Sequence, residues 1–171
     1  MLMEIFLQEV HPMTKFGYEK LVSETNHLKL VERPAVVKAI EEAAALGDLK
    51  ENAEYHAAKE RQSQIDDRII ELSKMLASAQ IVDPASLEHA RVSFGSTVVL
   101  CDLATEEELT YTIVGGVESN PERGLISFSS PLAKQLLGKE EGDELKARLP
   151  GGEREYEVLE VHYKEIVFDA H

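Results

Sequence analysis

The apolar residues in the first half of the chain recur at helical spacing over two long stretches. The first stretch predicts a helix that begins at about Lys15, with Thr14 as its N-cap. Pro34 predicts a local kink rather than an end, because the apolar rhythm continues on both sides of it. The predicted seam consists of Leu21, Leu28, Val31, Ala35 and Ala39, widened by Val36, Ile40 and Ala43.

The second stretch follows a heptad repeat over three heptads. We expect this helix to begin near Glu51 or Asn52 and to run to about Ala79, while Gly47 ends the first helix as a C-cap residue would. A turn of about five residues between two such helices predicts an antiparallel pair on the order of 45 Å long. The predicted seam is Ala58, Gln62, Ile65, Ile69, Leu72, Leu76 and Ala79.

Beyond Asp83-Pro84 the apolar period changes from 3.6 to 2, which is typical of strands. The fold class is therefore α+β, with a helical hairpin over residues 1–83 and a mostly antiparallel β domain over residues 84–171. Residues 1–12 predict either a tail or a first strand, and residues 84–91 a linker. The predicted elements are strands at Ser93–Leu103, Leu109–Val114, Leu125–Phe128, Glu144–Leu149 and Glu155–Tyr163, and a short helix at Pro131–Leu137 closed by Gly138.

The charge of the chain argues against tight, independent binding to nucleic acid. Its 171 residues carry a net charge of −14. Residues 1–83 hold 10 Lys and Arg against 15 Asp and Glu, and residues 84–171 hold 8 against 17. Neither half has the basic footprint of a nucleic-acid binder, so the negative charge fits better with a basic protein partner or merely with solubility.

Cysteine usage and hydropathy predict a cytoplasmic protein. Cys101 is the only cysteine, so no intramolecular disulfide can form, as suits a reducing compartment. No run of 18 apolar residues predicts a membrane-spanning helix. Glu4 and Glu9 interrupt the short apolar stretch at the N-terminus, which has no basic lead and so does not match a signal peptide.

Two acidic residues mark the predicted turn between the helices. Asp48 and Glu51 are three residues apart at the expected helix start, where acids often do no more than favour the helix dipole. The second interpretation is a hard cation, since Mg²⁺ is often bound through one or two carboxylates plus substrate phosphates. Two carboxylates leave most of the coordination shell open, so the cation interpretation predicts weak binding in isolation and further ligands from a partner.

Other candidate residues have two interpretations each. Lys38, Lys50, Lys59 and Arg61 either attract a phosphate chain or form an ordinary solvated face. Tyr55 either stacks on a partner or covers the end of the hairpin. The run Ser130 to Lys134 is either a capped helix start or an exposed edge that docks a partner. The sequence has no cluster of metal-binding histidines and cysteines, no nucleophile motif and no phosphate loop.

The segment Gly47 to Ala58 (GDLKENAEYHAA) closely resembles the signature of the bacterial Gre transcript-cleavage factors, GreA type. Similar to the same family are Ser130-Pro131-Leu132-Ala133-Lys134, Leu137-Gly138-Lys139 and the turn Pro150-Gly151-Gly152. The similarity covers about residues 13–163. It implies an N-terminal antiparallel coiled coil and a C-terminal domain that resembles FKBP-type isomerases.

The resemblance also implies a function. The helical finger would enter the secondary channel of RNA polymerase, where Asp48 and Glu51 would help to hold a Mg²⁺ ion shared with the polymerase. The chain would be an accessory factor, and the polymerase would cleave its own backtracked RNA. The residues implied in partner contacts are Ser130, Pro131, Leu132, Ala133 and Lys134 for docking, and Asn52, Tyr55 and Lys59 at the tip and towards the nascent RNA.

One departure from the family pattern and two rival functions remain open. Family members often have a basic residue shortly before the tip glycine, whereas this chain has Ala43-Ala44-Ala45-Leu46. Weaker contact with the RNA 3′ end is therefore expected, although Lys59 matches a basic position after the tip. The alternatives are a channel-occupying inhibitor of the same architecture, which the intact acidic pair disfavours, and a free-standing isomerase or nuclease.

Overall fold

The structure, a computed structural model, describes residues 10–168. They divide into two compact units. One unit is a helical hairpin over residues 18–79, and the other combines residues 11–17 with residues 80–168. A tail or a first strand was expected over residues 1–12. The structure has a strand, β1, at His11–Met13, and residues 1–9 lie outside the described part.

The first half of the hairpin is one continuous helical segment with an expanded turn in its middle. Helix α1 (Lys15–His27) has the predicted cap, since the Gly17 N–H donates to the Thr14 hydroxyl at 3.2 Å. A π-helical turn at Leu28–Glu32 leads into α2 (Arg33–Ala45), and the Arg33 N–H donates to the Leu28 carbonyl. The helix therefore continues past Pro34, as predicted, and the irregularity takes the form of a π turn.

The π turn corrects the predicted seam of this helix. Leu21 and Leu28 are buried as expected, but Val31 is 55% exposed, and Ala35 and Ala39 are exposed as well. Beyond the turn, the buried residues are Val36 and Ala43. A π turn contains one residue more than an α-helical turn, so it rotates the following residues and moves the seam by one position.

The second helix of the hairpin, α3 (Ala53–Ala77), is uninterrupted. Ile65 and Leu72 of the predicted heptad seam are buried in it. Three ion pairs join it to the first helical segment, and Glu24, the partner nearest the start of that segment, pairs with Arg68, the partner farthest along α3, as an antiparallel arrangement requires. These pairs are Arg68 with Glu24 at 2.9 Å, Arg61 with Glu32 at 2.8 Å and Arg33 with Asp66 at 2.8 Å.

The second unit is built on a five-stranded sheet. Its strands are β3 (Thr97–Asp102), β4 (Glu108–Val114), β5 (Leu125–Ser127), β6 (Glu144–Leu149) and β7 (Gly152–His162). The strand order is β5-β4-β3-β7-β6, and all neighbouring strands are antiparallel except β4 and β5, which are parallel. Strands β6 and β7 meet at the predicted turn, where Leu149 pairs with Gly152.

The core of this unit lies between one face of the sheet and the short helix α4 (Pro131–Leu136). Alternate strand residues, among them Val98, Leu100 and Val158, are fully buried against Leu136. This period-2 burial is what the alternating sequence pattern predicts. Among residues 10–168, no helix is long and apolar enough to span a membrane.

Two short segments of the second unit were not predicted as a pair. Strand β1 forms a two-stranded sheet with β2 (Ala79–Ile81), and the Val82 N–H then donates to the Met13 carbonyl at 2.8 Å. The carboxylate of Glu118 is buried beside β1. It accepts hydrogen bonds from the backbone N–H and the hydroxyl of Thr14 and from the Gly115 N–H.

Candidate functional site

The tip of the hairpin is a tight turn with an unusual backbone. Helix α2 ends at Ala45, and Gly47 follows with a φ of +84°, as expected of a glycine C-cap. Asp48 also adopts a left-handed conformation, with a φ of +43°. Few residues other than glycine do so, although aspartate is among those that tolerate it best. The chain then closes a turn in which the Glu51 N–H donates to the Asp48 carbonyl at 3.2 Å.

Asn52 joins the two helices at this turn. Its side-chain carbonyl accepts from the Tyr55 N–H at 3.0 Å, so Asn52 is the N-cap of α3. Its amide nitrogen donates to the Ala43 carbonyl at 2.7 Å and, over a longer distance of 3.4 Å, to the Gly47 carbonyl. The family resemblance implies that Asn52 faces a partner, whereas its hydrogen-bonding groups are used inside the tip.

The carboxylates of Asp48 and Glu51 are exposed and uncommitted. Within residues 10–168, neither side chain makes a hydrogen bond or an ion pair. Both residues precede the N-cap of α3, and the acidic residue in the first turn of that helix is Glu54. The cap is supplied by Asn52, so a capping role does not explain the two acids.

The tip by itself does not form a complete cation site. Within the described part of the chain, no three metal-ligating side chains come together. Two backbone carbonyls of the turn have donors already, since Asp48 O accepts from Glu51 and Lys50 O lies 3.0 Å from the His56 ring nitrogen. The chemistry of the two free carboxylates suits a hard cation such as Mg²⁺, but only if the remaining ligands come from elsewhere.

Basic side chains near the tip fall into two groups. Arg61 pairs with Glu32 at 2.8 Å, and Lys38 lies 3.8 Å from Glu42. Lys50 and Lys59 are exposed, and neither has an ion-pair partner among residues 10–168. These two lysines are therefore the basic side chains near the tip that remain available to a negatively charged partner.

Tyr55 lies at the start of α3 and is half-buried. Its ring meets the His56 ring edge to face, with 5.7 Å between the centroids. The tyrosine thus covers part of the hairpin end, and the remainder of its surface is open to a partner.

The predicted docking segment in the second unit divides into buried and exposed residues. Ser130 caps α4 by accepting from the Ala133 N–H at 3.3 Å. Leu132 and Ala133 belong to the core, with 6% and 0% of their surface exposed, so they support the segment from below. Pro131 and Lys134 are exposed, and they are the residues that a partner can reach.

Two features of the site have no clear signal in the sequence. An asparagine one residue before a helix is a familiar cap, but nothing local reveals that its amide also reaches back nine residues to Ala43. The left-handed backbone of Asp48 is likewise not marked, because a glycine stands directly before it and would be expected to satisfy the turn alone.

A hairpin of two helices with exposed carboxylates at its turn, in one chain with a β unit, defines the chain as an α+β protein. Two family models match this chain, "Transcription elongation factor, N-terminal" over residues 11–81 and "Transcription elongation factor, GreA/GreB, C-term" over residues 87–163. The chain belongs to the GreA/GreB family of transcription elongation factors, which confirms the resemblance seen in the sequence.

Relatives match over nearly the whole chain. Transcription elongation factor GreA of Helicobacter hepaticus is 60% identical over 93% of this chain and 98% of its own length. GreA of Wolinella succinogenes is 62% identical over 92% and 98%. Among solved structures, GreA factor homolog 1 (Gfh1) of Thermus thermophilus is 31% identical, with a TM-score of 0.43 over 90% of this chain and 99% of its own.

Proposed function

We propose that this chain stimulates the cleavage of backtracked RNA by RNA polymerase. In this function the hairpin enters the secondary channel of the polymerase, and Asp48 and Glu51 complete a Mg²⁺ site that the polymerase provides in part. The observation that carries the proposal is the pair of exposed tip carboxylates without partners among residues 10–168. Family membership supports a role in transcript elongation.

The proposed division of labour follows from the chemistry of the tip. When bound, a divalent cation activates water and stabilises the charge that develops on a phosphate. This chain contributes negative charge and two oxygen ligands through Asp48 and Glu51. The exposed Lys50 and Lys59 then favour an approaching RNA phosphate backbone, and the polymerase supplies the RNA and the remaining ligands.

Docking is proposed to involve the second unit. Pro131 and Lys134 present an apolar and a basic contact at the exposed side of α4, held in place by the buried Leu132 and Ala133. Lys134→Glu is expected to raise the concentration of factor that gives half-maximal stimulation, while the maximal rate stays the same. A lowered maximal rate at unchanged affinity would contradict a docking role.

Stalled transcription complexes with backtracked RNA test the proposal directly. Asp48→Ala/Glu51→Ala should abolish stimulated cleavage while the protein still competes with wild type for the polymerase. The matched control is Glu60→Ala/Asp67→Ala, which removes the same charge from exposed positions of the same hairpin. Full stimulation by the tip variant would overturn the proposal, and wild-type protein that stalls transcripts without shortening them would favour the inhibitor instead.

A further inference from the structure

The geometry points to Asn52 as a positioning residue for Asp48 and Glu51, rather than a residue that contacts a partner. This inference rests on the proposed function of the tip. It concerns a step which that function leaves open, namely how a short turn holds two carboxylates at a fixed place when their side chains have no support of their own.

The two carboxylates are positioned only through the backbone. Neither side chain has a hydrogen-bonding partner within residues 10–168, so their placement depends on the backbone at Asp48 and Glu51. That backbone includes two successive left-handed residues, Gly47 and Asp48. A conformation of this kind persists only where the surroundings fix it.

The Asn52 side chain closes the turn from both ends. The Asn52 amide nitrogen holds the last part of α2 through the Ala43 carbonyl at 2.7 Å, and its carbonyl oxygen holds the first turn of α3 through the Tyr55 N–H at 3.0 Å. The Gly47 carbonyl at 3.4 Å brings the beginning of the turn to the same nitrogen. Residues 47–51 are thereby enclosed between two fixed points.

The chemistry of the side chain at position 52 also matters. A side chain in this position needs a donor and an acceptor, and a primary amide supplies both. Aspartate and serine are good N-caps and would keep the bond from Tyr55. In aspartate, however, a second oxygen would face the carbonyls of Ala43 and Gly47, where no donor would remain. The clamp therefore differs from an N-cap in its need for the N–H group.

This difference sets the experiment. Asn52→Asp keeps the cap and replaces the amide N–H by an acceptor, Asn52→Ser keeps the cap and replaces the amide by one shorter hydroxyl, and Asn26→Asp on the exposed face of α1 is the chemically matched control. Stimulated cleavage is measured over a range of factor concentrations. We expect both Asn52 variants to lower the maximal rate about tenfold or more, since misplacement by about 1 Å can cost on the order of 100-fold. The half-saturating concentration should change less than about twofold.

Amide hydrogen exchange on the free protein gives a second readout that needs no polymerase. In both variants, Gly47 and Glu51 should exchange about tenfold faster, while the Tyr55 amide keeps its protection. Far-UV circular dichroism establishes that the helices are still formed. Because this arm is independent of cleavage, it decides the role of Asn52 even if the wild-type chain fails to stimulate cleavage and the proposed function falls.

Three results would overturn the inference. Unchanged cleavage and unchanged exchange in Asn52→Asp would reduce Asn52 to a helix cap. A raised half-saturating concentration with normal exchange at Gly47 and Glu51 would make it a partner contact. A tenfold loss in the Asn26→Asp control would show that the effect is not specific to the tip.

Discussion

The two units of this protein use acidic side chains in opposite ways. In the second unit, Glu118 is 5% exposed and accepts three hydrogen bonds, and Asp102 is 4% exposed and accepts from Ala104, Thr105 and Arg154. At the hairpin tip, the carboxylates of Asp48 and Glu51 are exposed and have no partner among residues 10–168. A buried carboxylate with its full set of donors maintains the fold, whereas an exposed one without donors is available for chemistry.

The physical reason for this contrast is desolvation. A carboxylate removed from water is tolerated only where hydrogen bonds replace its hydration, so losing it leaves buried donors without partners. A carboxylate in water gains little from the fold and costs little when removed. Substitutions in the two regions should therefore separate stability from function.

The largest effect on stability is expected from Glu118→Ala. The variant leaves the Thr14 N–H, the Thr14 hydroxyl and the Gly115 N–H without their acceptor, and each buried unsatisfied group costs about 1–3 kcal/mol. A total loss of about 3 kcal/mol should be visible as faster amide exchange in β3 and β4. A loss of stability below about 0.5 kcal/mol would contradict the stabilising role of the buried Glu118 carboxylate.

A slightly smaller effect, with a change of sign, is expected at Gly17. A Cβ added there would clash with the Glu118 carboxylate, so Gly17→Ala should displace that carboxylate and destabilise the second unit by about 2 kcal/mol. In the Glu118→Ala background, the same change should stabilise by about 0.5–1 kcal/mol, because alanine favours the helix. Denaturant unfolding of the four proteins measures both signs.

Additive effects in this double-mutant cycle would contradict the close approach of Gly17 and Glu118. The coupling is the informative quantity, because it removes the contributions that each substitution makes on its own.

Asp102 gives a dependence on pH. Hydrogen bonds from the Ala104 backbone and from Thr105, together with the Arg154 guanidinium at 3.2 Å, hold the pKa of Asp102 below its ordinary value of 3.8. A carboxyl group whose pKa is lowered by folding stabilises the folded state at pH values above its ordinary pKa. That stabilisation is lost as the pH falls through the folded-state pKa. Asp102→Asn should lower Tm at pH 6, and the difference in Tm from wild type should shrink as the pH falls below the ordinary pKa of 3.8 and through the lowered folded-state pKa.

The control for this prediction is Asp143, which lies on a loop of the same unit and accepts from the Glu140 N–H at 2.9 Å. Asp143→Asn should change Tm less at pH 6. A gap between Asp102→Asn and wild type that widened in acid would mean that the sign of the pKa shift is wrong.

The smallest of these effects is expected at Gly47. A Cβ there would meet no atom within 4 Å, so the cost of Gly47→Ala comes from its φ of +84° alone, about 1 kcal/mol. Thermal unfolding of the hairpin should show a modest loss of stability with the helices retained. A loss above about 3 kcal/mol would imply a contact at the tip that the structure does not contain.

The sequence predicted the regular parts of the fold because their signals are local. The heptad spacing of α3 and the alternation in β3, β4 and β6 can be recognised from residues only a few positions apart in the sequence. Beyond Pro34 the predicted seam was partly wrong. Ala35 and Ala39 are exposed, whereas Val36 and Ala43, which were predicted to widen the stripe, are buried, because a π turn that has no signal in the sequence shifts the helical register. Three-residue strands such as β1 and β2 are too short to show a period.

The sequence predicted which acidic residues lie at the tip, but not the contacts that support them. Asp48 and Glu51 stand out from their types and their place between two helical patterns. The contact of Glu118 with Thr14 spans 104 residues, and the amide of Asn52 reaches back to Ala43 across the turn. These contacts depend on the tertiary structure, so no local sequence pattern predicts them.

The most direct test of this account replaces both tip acids with their neutral isosteres, Asp48→Asn/Glu51→Gln. The maximal rate of RNA cleavage in backtracked complexes is measured at saturating factor, together with Tm. The account predicts a loss of cleavage of about 100-fold or more and a Tm within about 1 °C of wild type. The reason is that the two carboxylates act in the proposed cleavage reaction and do not stabilise the fold. Wild-type cleavage, or a collapse of stability in the variant, would contradict it.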